Sequence, residues 1–112
     1  MTDDDATVLQ TLLREAENRL AHLDDDEKSL LPDRSDQTAD DEHDPEGSTL
    51  SLEWTRVDAL RRGAEHDRAD AVAALARVAD GTYGTCVVCG GAISAGRLEA
   101  RPTAATCIGC AR

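Results

Sequence analysis

The chain has 112 residues, a net charge of −11, one Trp, one Tyr and no Phe. That length allows one domain at most, and so few aromatics exclude a bulky aromatic core. Its apolar residues are mostly Ala, Leu and Val, which suit a thin helical seam held by a further staple such as a metal.

The charge is unevenly spread. Residues 1–48 hold sixteen acids against four bases, whereas residues 49–112 hold seven acids against eight bases. Such acidity opposes unaided binding to duplex DNA, whose phosphates require Lys and Arg. It suits a basic partner, a metal-rich surrounding or simply a solvated linker. The start, Met1-Thr2-Asp3-Asp4-Asp5, lacks the basic and apolar regions of a signal peptide. The longest uncharged apolar run, Ala71 to Ala76, is too short for a membrane span. These features predict a cytoplasmic chain with reduced thiols and no membrane association.

Residues 5–30 read as a first helix. Leu9, Leu13, Ala16, Leu20 and Leu23 alternate spacings of four and three, a heptad seam. Asp3, Asp4 and Asp5 suit a helix N-terminus, where the dipole favours negative charge. Pro32 is expected to end the helix at or before Leu31. The run Asp24-Asp25-Asp26-Glu27 opposes the dipole at the other end and reads as solvated and prone to fray. Residues 31–48 have no apolar period and are punctuated by Pro32, Pro45 and Gly47, which predicts a loop.

A second helix is predicted over residues 49–80. Ser48 or Thr49 could cap it, with Glu53 placed for a capping box. Its seam is Leu50, Trp54, Val57, Ala64, Ala71, Leu75 and Val78, broken by Arg61 and widened by Leu60 and Val72. Arginines interleave with acids on the remaining faces, as on a solvent-facing helix. Gly63 weakens this helix by roughly 1 kcal/mol relative to Ala, and Gly81 and Gly84 stop it. Two such helices, each about 40 Å long, should pair antiparallel. Trp54 reads as a seam residue or an exposed partner anchor.

All four cysteines follow, as Cys86-Val87-Val88-Cys89 and Cys107-Ile108-Gly109-Cys110. Paired C-x-x-C motifs at this separation have zinc-site spacing, and four thiolates satisfy a tetrahedral ion. A redox motif would want a βαβ context, and disulfides would want export; neither is visible. Four thiolates also close the coordination sphere, which argues against a catalytic zinc. The fold class expected is therefore mainly α: an antiparallel two-helix coiled-coil hairpin with a small C-terminal four-cysteine zinc finger. Residues 1–80 would form the hairpin, with an acidic loop at about 31–48, and residues 81–112 the finger. One structural Zn2+ is expected on Cys86, Cys89, Cys107 and Cys110.

Three stretches carry a resemblance. Gly84-Thr85-Cys86-Val87-Val88-Cys89-Gly90, Arg97-Leu98-Glu99-Ala100-Arg101-Pro102-Thr103-Ala104 and Cys107-Ile108-Gly109-Cys110 closely resemble the DksA/TraR family. The resemblance is best from about residue 40 to the C-terminus. It implies a zinc finger beside a coiled coil that enters the secondary channel of RNA polymerase, where acidic tip residues approach the catalytic magnesium. The family tip reads Asp-x-x-Asp-x-Ala. The nearest stretch here is Asp33-Arg34-Ser35-Asp36-Gln37-Thr38, with Thr for Ala. The cluster Asp40, Asp41, Glu42 and Asp44 is the preferred tip, with Asp33 and Asp36 as the alternative. Carboxylates at either place are hard ligands suited to Mg2+ or to basic side chains. His43 lies among these acids and reads as carboxylate-paired or, less simply, as a metal ligand.

The resemblance implies a monomeric transcriptional regulator that binds RNA polymerase without sequence-specific DNA binding. The alternative is a zinc-stapled protein–protein interaction module with a different partner. A nucleic-acid-binding finger is disfavoured, because the segment from Gly81 has only Arg97, Arg101 and Arg112 as bases and only Tyr83 as an aromatic. Nothing points to an enzyme: no cysteine is left over, and His22, His43 and His66 lie far apart without a catalytic spacing. Arg97 and Arg101 read either as partner contacts or as braces for the finger.

Overall fold

The computed structural model describes the backbone of residues 3–36 and 45–111, and the side chains of residues 4–26 and 51–111. Three helices follow in order: α1 Asp3–Asp36, α2 Pro45–Asp80 and α3 Ala95–Ala100. Among the described residues there is no strand, only an isolated antiparallel bridge between Thr85 and Ala92. The fold is mainly α, an antiparallel pair of long helices followed by a small four-cysteine finger.

Both long helices exceed their sequence expectation. Helix α1 continues past Pro32 to Asp36 instead of stopping at Leu31. A proline deletes one intrahelical hydrogen bond and crowds the carbonyl four residues back, which bends a helix without forbidding its continuation. Helix α2 begins at Pro45, ahead of the expected caps. A proline suits a first turn, where its missing N–H has no partner to lose and its fixed φ is already helical. Glu53 is therefore well inside α2, where it pairs with Arg56 at 3.1 Å instead of closing a capping box.

The molecule divides into two compact units, one of Met1–Glu15 with Asp67–Arg112, the other Ala16–His66. In the first, Leu9, Ala74 and Tyr83 form the buried cluster, with Leu12, Leu75, Val78 and Leu98 packed against it. In the second, Leu23, Val57 and Ala64 are buried, with Leu20 against them. Leu9, Ala16 and Leu23 recur every seven residues on α1, and Val57, Ala64 and Ala71 do so on α2; all six are buried. This is the period that holds one stripe of each helix toward its partner. The stripe is narrower than expected. Leu60 and Val72 are 48% and 43% exposed and do not widen it, whereas Ala74, absent from the expected seam, is fully buried.

Arg61, the expected break in the seam, has a partner. Its guanidinium reaches Asp24 of α1 at 2.6 Å. Asp24 is thus an interhelical partner of Arg61 rather than part of a solvated run. The pair is partly exposed, so it contributes about 1 kcal/mol at most.

Helix α2 ends in a Schellman motif. The Gly81 N–H donates to the Val78 carbonyl and the Thr82 N–H to the Arg77 carbonyl, at 3.3 and 2.9 Å. Gly81 has φ of 84°, a left-handed conformation that costs glycine nothing. The Asp80 carboxylate accepts from the Thr82 N–H and hydroxyl and fixes the exit of the chain.

Candidate metal centre

The turn after α2 brings the chain directly to Cys86. The Cys86 N–H donates to the Gly91 carbonyl at 2.7 Å, and the Gly90 N–H returns to the Cys86 carbonyl at 2.9 Å. Gly90 has φ of 76°, so the chain reverses there without a side-chain penalty. This tight loop points backbone N–H groups at sulfur. Val88 and Cys89 donate to Cys86 Sγ at 3.4 and 3.5 Å, and Gly91 donates to Cys89 Sγ at 3.4 Å. The second pair closes similarly, with the Cys110 N–H on the Cys107 carbonyl at 3.0 Å.

The four sulfurs converge. Those of Cys86, Cys89, Cys107 and Cys110 lie within 4.8 Å of one another, and none of the cysteines is in a disulfide. Cys89 Sγ and Cys107 Sγ are 3.8 Å apart. Thiolates at about 2.3 Å from a central ion occupy tetrahedron corners about 3.8 Å apart. The gap matches an edge of a four-thiolate metal site.

The electrostatics agree. Backbone donation from Cys89, then from Cys107, lowers the Cys86 thiol to about 6. Cys110 is pushed up to about 12, chiefly by its hydrogen bond with the Cys107 sulfur and then that with Cys86. Four thiolates cannot share so small a volume without a compensating cation, and a divalent metal supplies that charge. The donor set, number and spacing fit a structural zinc, which these four cysteines would hold. Zinc there contributes folding energy and leaves no open position for a reacting water.

A second set of interactions surrounds the segment leading into Cys107. The Tyr83 hydroxyl donates to the Pro102 carbonyl at 2.7 Å. Arg77 Nη2 of α2 donates to the Thr103 carbonyl at 3.3 Å. The Val87 N–H takes the Ala105 carbonyl at 2.9 Å. Arg97 Nε of α3 takes the Thr106 carbonyl at 2.8 Å. Between them, the Ala104 side chain is buried. Of the two arginines left open by the sequence, Arg97 is thus a brace within the finger; Arg101 is exposed.

Helix α3 was not expected. It is capped by Ser94, whose hydroxyl accepts from the Arg97 N–H at 3.2 Å. Six residues are too few to show a period, and the Ser94 cap is its one sequence signal. Tyr83 is a further core residue, and its one sequence signal is an aromatic placed between Gly81 and Gly84.

The preferred acidic tip, Asp40, Asp41, Glu42 and Asp44, lies outside the described residues, as does His43. Asp33 and Asp36 fall in the last turn of α1. Trp54 is half-buried in the second unit, and its indole N–H has no hydrogen-bond partner among the described residues. Among the described residues no helix is long and apolar enough to cross a membrane.

Helices and sulfur cluster together define a helical hairpin protein with a structural four-cysteine zinc finger. Residues 81–112 match the family model of the prokaryotic dksA/traR C4-type zinc finger. The chain is 33% identical over 101 residues to the RNA polymerase-binding transcription factor DksA of Haemophilus influenzae, covering 90% of this chain. It spans 62% of the length of that relative. The structure of transcription factor DksA2 from Pseudomonas aeruginosa matches with a TM-score of 0.65 at 26% identity, over 96% of this chain and 80% of that one. Residues 81–112 are thus a finger of the prokaryotic dksA/traR C4 type, and the chain as a whole is similar to DksA proteins.

Proposed function

We propose that this protein is a transcriptional regulator that binds RNA polymerase in the cytoplasm, and that it is not an enzyme. The observation that carries the reading is the likeness to an RNA polymerase-binding factor over 90% of the chain, helices and finger together. In this reading Cys86, Cys89, Cys107 and Cys110 hold one zinc and fix the finger, which with residues 1–80 makes up the working molecule. The acidic stretch between α1 and α2 supplies the contact, through Asp40, Asp41, Glu42 and Asp44 in preference to Asp33 and Asp36. Carboxylates there meet basic side chains or a bound Mg2+ on the polymerase. The chain acts as a monomer and without reading DNA sequence, because its acidic half repels phosphate.

The test is binding to purified core RNA polymerase at two salt concentrations, with the parent and an Asp40→Asn/Asp41→Asn/Asp44→Asn variant. Salt-sensitive binding by the parent and at least a tenfold loss in the variant, on the order of two or three charge-assisted contacts, are expected. Equal binding by both would move the contact away from this stretch.

One observation favours a second reading, an interaction module with another partner. Val87, Val88 and Ile108, in the turns between the paired cysteines, are 62%, 69% and 81% exposed. Pull-down with a Val88→Ser/Ile108→Ser variant separates the two, since only the module reading predicts that this change releases the partner.

A further inference from the structure

The five residues before Cys107 have carbonyl groups at Pro102, Thr103, Ala105 and Thr106 that are each held from a different place. Tyr83 holds the first, Arg77 of α2 the second, the first cysteine turn the third and Arg97 of α3 the fourth. A free chain would sample many conformations here, and each ordered residue costs about 1–2 kcal/mol of backbone entropy. A zinc that needs Cys107 and Cys110 in place must meet that cost unless the approach to them is already set. Two of the four donors are guanidinium groups, whose hydrogen bonds exceed neutral ones in strength.

We infer that Arg77 and Arg97 are positioning residues for the zinc: they hold the 102–106 segment so that Cys107 arrives at the cluster already oriented. Neither arginine is a ligand. Arg77 belongs to α2, one residue before Val78 of the Leu9–Ala74–Tyr83 cluster. Metal affinity is therefore coupled to the pairing of α1 and α2 in this unit, and the coupling is reciprocal. Outer contacts that orient ligands commonly govern metal affinity to this degree. The inference rests on the four-cysteine ligand assignment and is independent of the polymerase reading.

The experiment is a zinc competition titration against a chromophoric chelator, on full-length parent, Arg97→Met, Arg77→Met and Arg77→Lys. Each Met variant keeps the aliphatic stem and loses the donors; a zinc affinity lower by about tenfold is expected for each. Arg77→Lys keeps one charged donor and should recover part of the loss. Cobalt substituted for zinc should give the same four-thiolate visible spectrum in every variant, since no ligand is changed. Met variants with parental zinc affinity, even if they melt earlier, would overturn the inference and leave the arginines as packing. Should Arg77→Met fail to fold, the Arg97→Met result alone decides. A parent without a four-thiolate cobalt spectrum overturns the ligand assignment and this inference with it.

Discussion

Tyr83 shows how one side chain serves two partners. Its ring is buried among Leu9 and Ala74, and its hydroxyl donates to the Pro102 carbonyl at 2.7 Å. Tyr83→Phe keeps the ring and leaves that carbonyl unpaired. Denaturant unfolding of the zinc-loaded variant should show a loss of about 1–2 kcal/mol. Burial raises the phenol above its ordinary value of 10.0, Asp5 raises it further and Arg77 opposes the rise. A proton held more tightly when folded stabilises the protein below the unfolded value and ceases to do so at higher pH. Parental stability should thus fall as pH climbs past about 10, and Tyr83→Phe should lack this component. The cysteines were legible in the sequence because paired short spacings encode the geometry of one ion. Tyr83 and Arg77 were not, because they act on carbonyls 19 and 26 residues away, and no spacing rule joins an arginine to a distant backbone oxygen.

At the scale of elements, the heptads of α1 and α2 foretold the buried stripe at Leu9, Ala16, Leu23, Val57 and Ala64. Helix ends were less legible. Pro32 and Pro45 carry the sequence signal of a turn, whereas one lies within α1 and the other opens α2. Small residues also hide the seam. Ala74 is fully buried, yet alanine is equally at home on the outer faces of a helix, so its place depends on what the partner helix offers. Gly63 is the opposite case. It is exposed inside α2, and a methyl group there would meet nothing within 4 Å. Gly63→Ala should stabilise α2 by about 1 kcal/mol, read as a higher denaturation midpoint with an unchanged slope.

Among the described residues apolar burial is sparse, with eleven hydrophobic positions buried. A core this thin leans on the metal, so removing zinc with a strong chelator should lower helicity and the melting temperature together. The net charge of −11 adds self-repulsion that salt relieves, so the chelated protein should regain part of its helicity at higher ionic strength. The scarcity of aromatics has a practical side. With one Tyr, one Trp and no Phe, each compact unit contains a single natural chromophore, Tyr83 in the unit bearing the cysteines and Trp54 in the other. Trp54 emission, and the tyrosine component of the absorbance once resolved from the stronger overlapping indole band in derivative spectra, can therefore follow the two units separately, without labels. As zinc is withdrawn, the tyrosine signal should change first. Coincident curves would instead mean that the two units open as one cooperative body.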